Sequence, residues 1–202
     1  MYKVFVNDRP IIFTSSPIKN GEYPVMDCKD IILNDVIKQV KKGKLKGVYV
    51  FTSNLKEFWA RFCVDYRLKK AGGGLVVNSQ KEVLFIFRAR KWDLPKGRIE
   101  NNENIQETAL REVQEESGIS ELTIDKFLMN TYHLYPSQGR DRLKMTYWYV
   151  MNTTSNTIPK PLLDEGIKRA SFFDEATIQT NILKRTYINI RMVYKTYRDS
   201  IL

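Results

Sequence analysis

Between Gly97 and Ile119 the chain reads GRIENNENIQETALREVQEESGI, with Glu103, Glu112, Glu115 and Glu116 set around Arg111 at a spacing that could do chemistry. From Ile105 to Ser117 the residues are good helix formers without proline or glycine, and Gly118 is the usual left-handed stop. At about 100° per residue, Glu112, Glu115 and Glu116 fall within an arc of roughly 100°, while Ala109, Leu110 and Val113 form a neighbouring apolar strip. Carboxylates so crowded repel one another unless a cation sits among them, and all-oxygen donors suit a hard divalent ion, Mg²⁺ or Mn²⁺. The plainer reading is a solvated acidic face, with Glu107 to Arg111 and Arg111 to Glu115 as ordinary i,i+4 pairs. The preceding loop, Trp92-Asp93-Leu94-Pro95-Lys96-Gly97, argues against it. It is a stiff turn ending in glycine, which brings a backbone carbonyl close to whatever the helix binds.

The spacing Gly97, five residues, Glu103, seven residues, then Arg111 through Ile119 resembles the Nudix hydrolase signature at every fixed position. The resemblance implies an α/β/α sandwich with a mixed sheet, and hydrolysis of a nucleoside diphosphate linked to another group by metal-activated water. It places metal ligands on Glu112 and Glu116, with Glu115 as a further ligand and the Lys96 backbone carbonyl as another. Glu103 and Arg111 match the family's structural pair, and Gly97 and Gly118 its fixed glycines. The base is left open between a box glutamate, Glu115 or Glu116, and a carboxylate from a later loop, here Pro159 to Gly166, where Glu165 is the candidate.

Charge bears on the substrate. The chain carries +10 overall, yet residues 97–119 hold six glutamates and two arginines, leaving 31 basic and 17 acidic residues elsewhere. Such a field draws polyanions. Arg88, Arg90, Lys91, Lys96 and Arg98 surround the loop before the helix and could clamp phosphates. Arg140, Arg142 and Lys144 form a second basic group beside Tyr147, Trp148 and Tyr149, where an aromatic such as Tyr147 could stack on a base. Leu94-Pro95-Lys96-Gly97 is similar to the loop of Nudix members acting on dinucleoside polyphosphates and diphosphoinositol polyphosphates. Those substrates are favoured over ADP-ribose or a nucleotide sugar. A reading of another class is a Nudix-fold sensor of nucleotide or RNA; such members commonly lose box carboxylates, and none is lost here.

The remaining sequence must position these groups. Residues 1–70 read as a small α/β segment and 71–202 as the catalytic domain. Val4–Val6 and Ile11–Thr14 flank the turn-forming Asn7-Asp8-Arg9-Pro10. Asp30 could cap a helix running to about Lys42, before a strand at Val48–Phe51. Asn54 with Glu57 could cap a second helix, whose Leu55, Phe58, Trp59, Phe62, Cys63 and Tyr66 recur at helical spacing as core. Ala71-Gly72-Gly73-Gly74 reads as a flexible entry to a strand at Leu75–Val77. Strands follow at Val83–Arg88, Leu122–Asn130, Thr131–Tyr135 (or one long bent strand through both), Leu143–Met151 and Ile167–Phe173. Helices begin at Asp174 and present Ile190, Val193, Tyr194, Tyr197 and Ile201. His133, the single histidine, sits in a strand-like run and reads as structural. No apolar run approaches the roughly 18 residues of a membrane span and no signal-peptide form is present, so a soluble cytoplasmic protein is expected, with Cys28 and Cys63 reduced. A homodimer through the N-terminal segment is a further expectation.

Overall fold

In the computed structural model, which describes residues 1–201, Asn7 and Asp8 both adopt left-handed backbone (φ 50° and 62°). They form the two-residue turn that joins β1 (Tyr2–Val6) to β2 (Arg9–Thr14), with Val6 opposite Arg9. Asparagine and aspartate tolerate this conformation, and its twist matches that of an antiparallel pair. β2 then pairs in parallel with β4 (Val48–Phe51), which pairs in parallel with β3 (Val25–Asp27). Helix α1 (Leu33–Lys41) makes the crossover between β3 and β4.

Asp30 does not cap α1. The cap position is Ile32, which makes no side-chain bond, and Asp30 instead lies in the turn after β3 with its N–H donated to the Asp27 carbonyl at 3.1 Å. Helix α2 (Leu55–Asp65) is capped as its sequence predicts, Asn54 Oδ1 accepting the Glu57 N–H at 3.2 Å. Its aromatic stripe packs on the strands: Phe62 is buried against Phe13, and Trp59 stacks on Tyr2 at 4.0 Å. Both cysteines are free thiols.

The chain divides into two compact units, and the first takes in residues 1–69 together with Tyr132–Met145. Those later residues belong to two long strands, β9 (Leu122–Ser137) and β10 (Arg140–Thr153). β1 pairs in parallel with β9 at Val4–Tyr132 and Phe5–His133, so His133 has the place in a ladder that its run suggests. Leu134 and Leu143 complete a core with Val4, Ile11, Phe13, Val50, Ile37 and Phe62.

The second unit, residues 70–131 and 146 onward, is built on strands in the order β11, β6, β5, β10, β9. These include β5 (Lys69–Val77), β6 (Val83–Arg88) and β11 (Ile167–Phe173). Two short strands, β7 (Lys91–Asp93) and β8 (Lys96–Arg98), pair with β6 and β5. Side chains alternate between two cores, as the strand period requires. Val76, Leu84, Tyr149 and Met151 face α3 (Ile105–Ser117) through Ala109 and Val113. Leu75, Val77, Phe85, Trp148 and Val150 face the other way, toward α5 (Ile188–Asp199) through Ile190, Val193, Tyr194 and Tyr197. This is an α/β/α sandwich.

Three details differ from the sequence reading. Ala71 to Gly74 are not a flexible entry but the buried middle of β5. A Cβ on Gly72 would come within 2.7 Å of the Ile105 carbonyl and 2.8 Å of the Ala109 nitrogen, so the missing side chain is what lets α3 lie on the sheet. Ile201 is exposed because α5 ends at Asp199. After β11, Asp174 caps a short α4 (Glu175–Thr177), but the chain continues through a π turn at Ile178–Ile182 and a 3-10 turn at Leu183–Arg185.

Candidate active site

Helix α3 carries the box and is set at both ends. Asn104 Oδ1 accepts the N–H groups of Gln106 and Glu107, and the Glu107 carboxylate accepts the Asn104 N–H at 2.8 Å. This reciprocal capping box was legible as Asn-x-x-Glu but is absent from the sequence reading, which gave Glu107 to Arg111 instead. At the other end Gly118 turns left-handed at φ 69°, and the loop that holds Glu165 satisfies late carbonyls: Lys160 N–H reaches the Ser117 carbonyl at 2.7 Å.

Arg111 is the hub of the acidic face. Nε and Nη2 grip both oxygens of Glu103 at 2.6 and 3.0 Å, while Nη1 donates to Glu112 Oε1 at 2.9 Å and Glu115 Oε2 at 2.8 Å. Nη2 also reaches the Arg98 carbonyl at 3.1 Å. One guanidinium thereby ties the loop, the helix start and the helix middle together. Its bonds hold the Glu103 carboxyl down to about 2.

Glu116 sits deeper, 1% exposed. Oε2 accepts the Lys96 backbone N–H at 2.8 Å and Oε1 accepts Arg88 Nη1 at 3.2 Å. Burial still dominates: it pushes the Glu116 carboxyl up to about 7, opposed by Lys96 and Arg88 and reinforced by Asp93. Glu112, 7% exposed, is also raised by burial, against the pull of Arg111 and with a further push from Glu115 and Glu165. That last influence brings Glu165 into the field of the box. Glu165 closes an exposed 3-10 turn, Leu163–Glu165.

The glycine of the loop has a direct steric reason. A Cβ on Gly97 would overlap the Glu112 carboxylate, so any other residue would displace it. Gly97 and Gly72 face one another in the β5–β8 ladder, so the glycines of two strands let the helix and loop backbones close on one another.

Among the described residues no three His, Cys, Asp or Glu side chains stand together in metal-holding geometry, and Arg111, Arg88 and the Lys96 amide engage the carboxylate oxygens of the box. The donor set nevertheless fits a hard divalent cation. It consists of two buried carboxylates one turn apart, with burial raising both, and a third, Glu115, 50% exposed at the rim.

A family model for the NUDIX domain matches residues 67–193, more than half of the chain. The chain belongs to the NUDIX family.

Within that family, Nudix hydrolase 21, chloroplastic, of Arabidopsis thaliana is 48% identical over 61 residues, 29% of this chain and 28% of that protein. The 8-oxo-dGDP phosphatase NUDT18 of Danio rerio is 44% identical over 99 residues, 46% of this chain and 29% of that protein. The matched stretches thus span under a third of either relative. Among solved structures, an Ap4A hydrolase binary complex from C. elegans aligns with a TM-score of 0.50 at 18% identity, covering 66% of this chain and 97% of that one. A NUDIX hydrolase from Nitrosomonas europaea aligns with a TM-score of 0.50 at 20% identity, covering 65% and 89%. At these identities the likeness is one of fold.

The basic residues of this NUDIX chain are distributed unevenly. Lys96, whose side chain is 15% exposed, spends its ammonium on Asp93 Oδ2 at 2.6 Å and the Leu94 carbonyl at 3.3 Å. Asp93, buried and accepting the Leu94 N–H as well, is a structural partner that the sequence reading missed. Arg88 is engaged by Glu116, and Lys91 lies over the Tyr187 ring at 4.5 Å. Arg90 occupies the left-handed turn between β6 and β7 (φ 64°) and is exposed, as is Arg98. Lys144, over the Tyr135 ring at 5.1 Å, belongs to the first unit, whereas Tyr147 packs within the α3-side core of the second. No helix among the described residues is long and apolar enough to cross a membrane.

Proposed function

We propose that this chain is a metal-dependent pyrophosphohydrolase that cleaves a phosphoanhydride bond in a nucleoside diphosphate-linked or polyphosphate compound. The observation that carries the reading is the Glu112–Glu116 pair. Two carboxylates are held buried against their own solvation, one against a glycine that alone leaves room for it. A fold gains no stability from such a pair by itself. Glu112 and Glu116, with Glu115 and the Lys96 carbonyl, would hold Mg²⁺ or Mn²⁺. When bound, that ion supplies positive charge to the phosphoryl oxygens and acidifies water.

The chain's own groups do the rest. Arg111, braced by Glu103, holds the helix to the loop and keeps Glu112 and Glu115 in place. Glu165 accepts the proton of the attacking water, with Glu115 the alternative base. Arg90 and Arg98, both exposed, bind outer phosphates, and Arg88, which pairs with Glu116, would be available to substrate were a cation to hold that carboxylate. Residues 71–202 form the catalytic domain in this reading.

Phosphate-rich substrates, dinucleoside polyphosphates or diphosphoinositol polyphosphates, are favoured by the basic surroundings of the box. Nucleoside diphosphates belong beside them because of the Danio rerio relative's name. A panel of these compounds with ADP-ribose and a nucleotide sugar, assayed for phosphate and nucleotide release with Mg²⁺ or Mn²⁺, tests the reading. Binding without turnover across the panel would replace it with a non-catalytic sensor.

A further inference from the structure

Three arginines of the first unit, Arg67, Arg140 and Arg142, line one cavity of about 420 Å³. It is built within that unit from the start of α1, the end of α2 and the first residues of β10. Among the described residues none of the three has an ion-pair partner. Of the two aspartates on the wall, Asp141 pairs with Lys41, and Asp65 lies 3.8 Å from Arg61 in a loose, solvent-exposed contact. Three guanidinium groups against two carboxylates leave the wall net positive, and an anion seated among the arginines would gain charge-assisted hydrogen bonds.

Arg67 ends α2 in the left-handed region. It follows the last turn of α2 at φ 45°, with the Leu68 N–H closing on the Cys63 carbonyl at 2.9 Å. Glycine is the ordinary occupant of that left-handed position. Its place at the end of the helix sets Arg67 on the cavity wall.

Other donors serve the same cavity. The Tyr66 hydroxyl donates to Asn34 Oδ1 at 2.5 Å, which leaves the Asn34 amide as a donor. The start of α1 has no side-chain cap, so its first amides add to the positive field. Leu33 gives the wall an apolar portion. A cavity of this size holds a small organic ligand.

The geometry points to a second anion site in the N-terminal unit, separate from the box, that binds a small phosphorylated molecule through Arg67, Arg140 and Arg142. Concavity favours a small molecule over a nucleic-acid strand, which would need an open groove. The site requires neither a divalent ion nor box chemistry.

The test uses the full chain in EDTA, titrated calorimetrically with inorganic pyrophosphate and with a nucleoside diphosphate. Arg140→Gln/Arg142→Gln and Arg67→Gln, at exposed (Arg67, Arg140) or half-buried (Arg142) side chains, should leave folding intact by circular dichroism and are compared with Glu116→Gln. The expected result is pyrophosphate binding that weakens roughly tenfold or more in the arginine variants, the scale of losing charged hydrogen bonds, and is retained in Glu116→Gln. Tighter binding of the nucleotide would show the organic part seated on the apolar wall; equal binding would show phosphate alone as the determinant, and either supports the site. Absent binding, arginine variants that bind as the parent does, loss in Glu116→Gln, or tighter binding of a single-stranded RNA oligomer would overturn it.

Discussion

Replacing Glu116 by glutamine should make the metal-free protein more stable at neutral and alkaline pH, although it removes a proposed metal ligand. The Glu116 carboxyl titrates near 7 in the folded chain against 4.5 in the unfolded one. A difference of that size is worth about 3 kcal/mol, at roughly 1.4 kcal/mol per pH unit. The native state holds the extra proton, so stability falls as pH rises. The loss begins near the unfolded value, runs between about 4.5 and 7, and is complete above that. Glutamine carries no such proton. It keeps the shape but turns an amide toward the Lys96 N–H or toward Arg88, which costs about 1–2 kcal/mol for a poorly paired donor. The net gain at pH 8 is therefore about 1–2 kcal/mol, or a few degrees in Tm for a chain of this length. Urea unfolding in EDTA at pH 5, 6, 7 and 8 measures it. The parent should lose stability relative to Glu116→Gln across this range, and Mg²⁺ should restore it at pH 8 in the parent only. A stability difference that stays flat with pH, or a variant weaker than the parent at pH 8, would refute the burial argument.

Glu165→Gln should lower kcat by about 10² to 10⁴ with metal affinity unchanged if Glu165 is the base, and a small effect there with a large one in Glu115→Gln would move the role to Glu115. Gly97→Ala should abolish turnover and weaken Mn²⁺ binding, read by electron paramagnetic resonance, because its methyl displaces Glu112; normal Mn²⁺ affinity would contradict the steric reading. Arg111→Ala should destabilise the fold by about 1–3 kcal/mol, less than a fully buried network would lose because Glu115 is solvent-screened, as thermal melts will show. On substrates, kcat/KM should be higher for a dinucleoside tetraphosphate or diphosphoinositol polyphosphate than for ADP-ribose, with an advantage that shrinks as salt is raised; equal activity at low salt would remove the polyphosphate preference.

What the sequence made legible is mostly local. Helix α3 runs from Ile105 to Ser117 and stops at Gly118, and Asn54 and Asp174 cap where they should, because propensity and capping act over a few residues. Gly72 to Gly74 misled for the opposite reason. Glycines in a row look like a breaker, and their purpose shows only when a helix some thirty residues later is laid across them. The Glu103, Arg111 and Glu112 cluster came from the family pattern, whereas Asp93 beneath Lys96 did not, since a single aspartate in a loop has no signature. Asp30 looked like a cap by type, yet the chain turns once more before α1 begins. Nor could spacing tell that Lys96, an apparent phosphate clamp, would be held by its own loop.

The pairing of Val4 with Tyr132 also has a consequence for how the protein is made. A ribosome delivers Tyr2 to Phe62 first, with their aromatic surfaces ready, but Leu134 and Leu143 lie more than seventy residues further on. At about 5–20 residues per second that interval lasts on the order of ten seconds. For that time β1 presents an unpaired edge and Trp59 lacks Tyr132 across its ring, a nascent chain exposed to chaperones or to its neighbours on the same message. Slow codons placed between 70 and 130 would prolong the exposed stage.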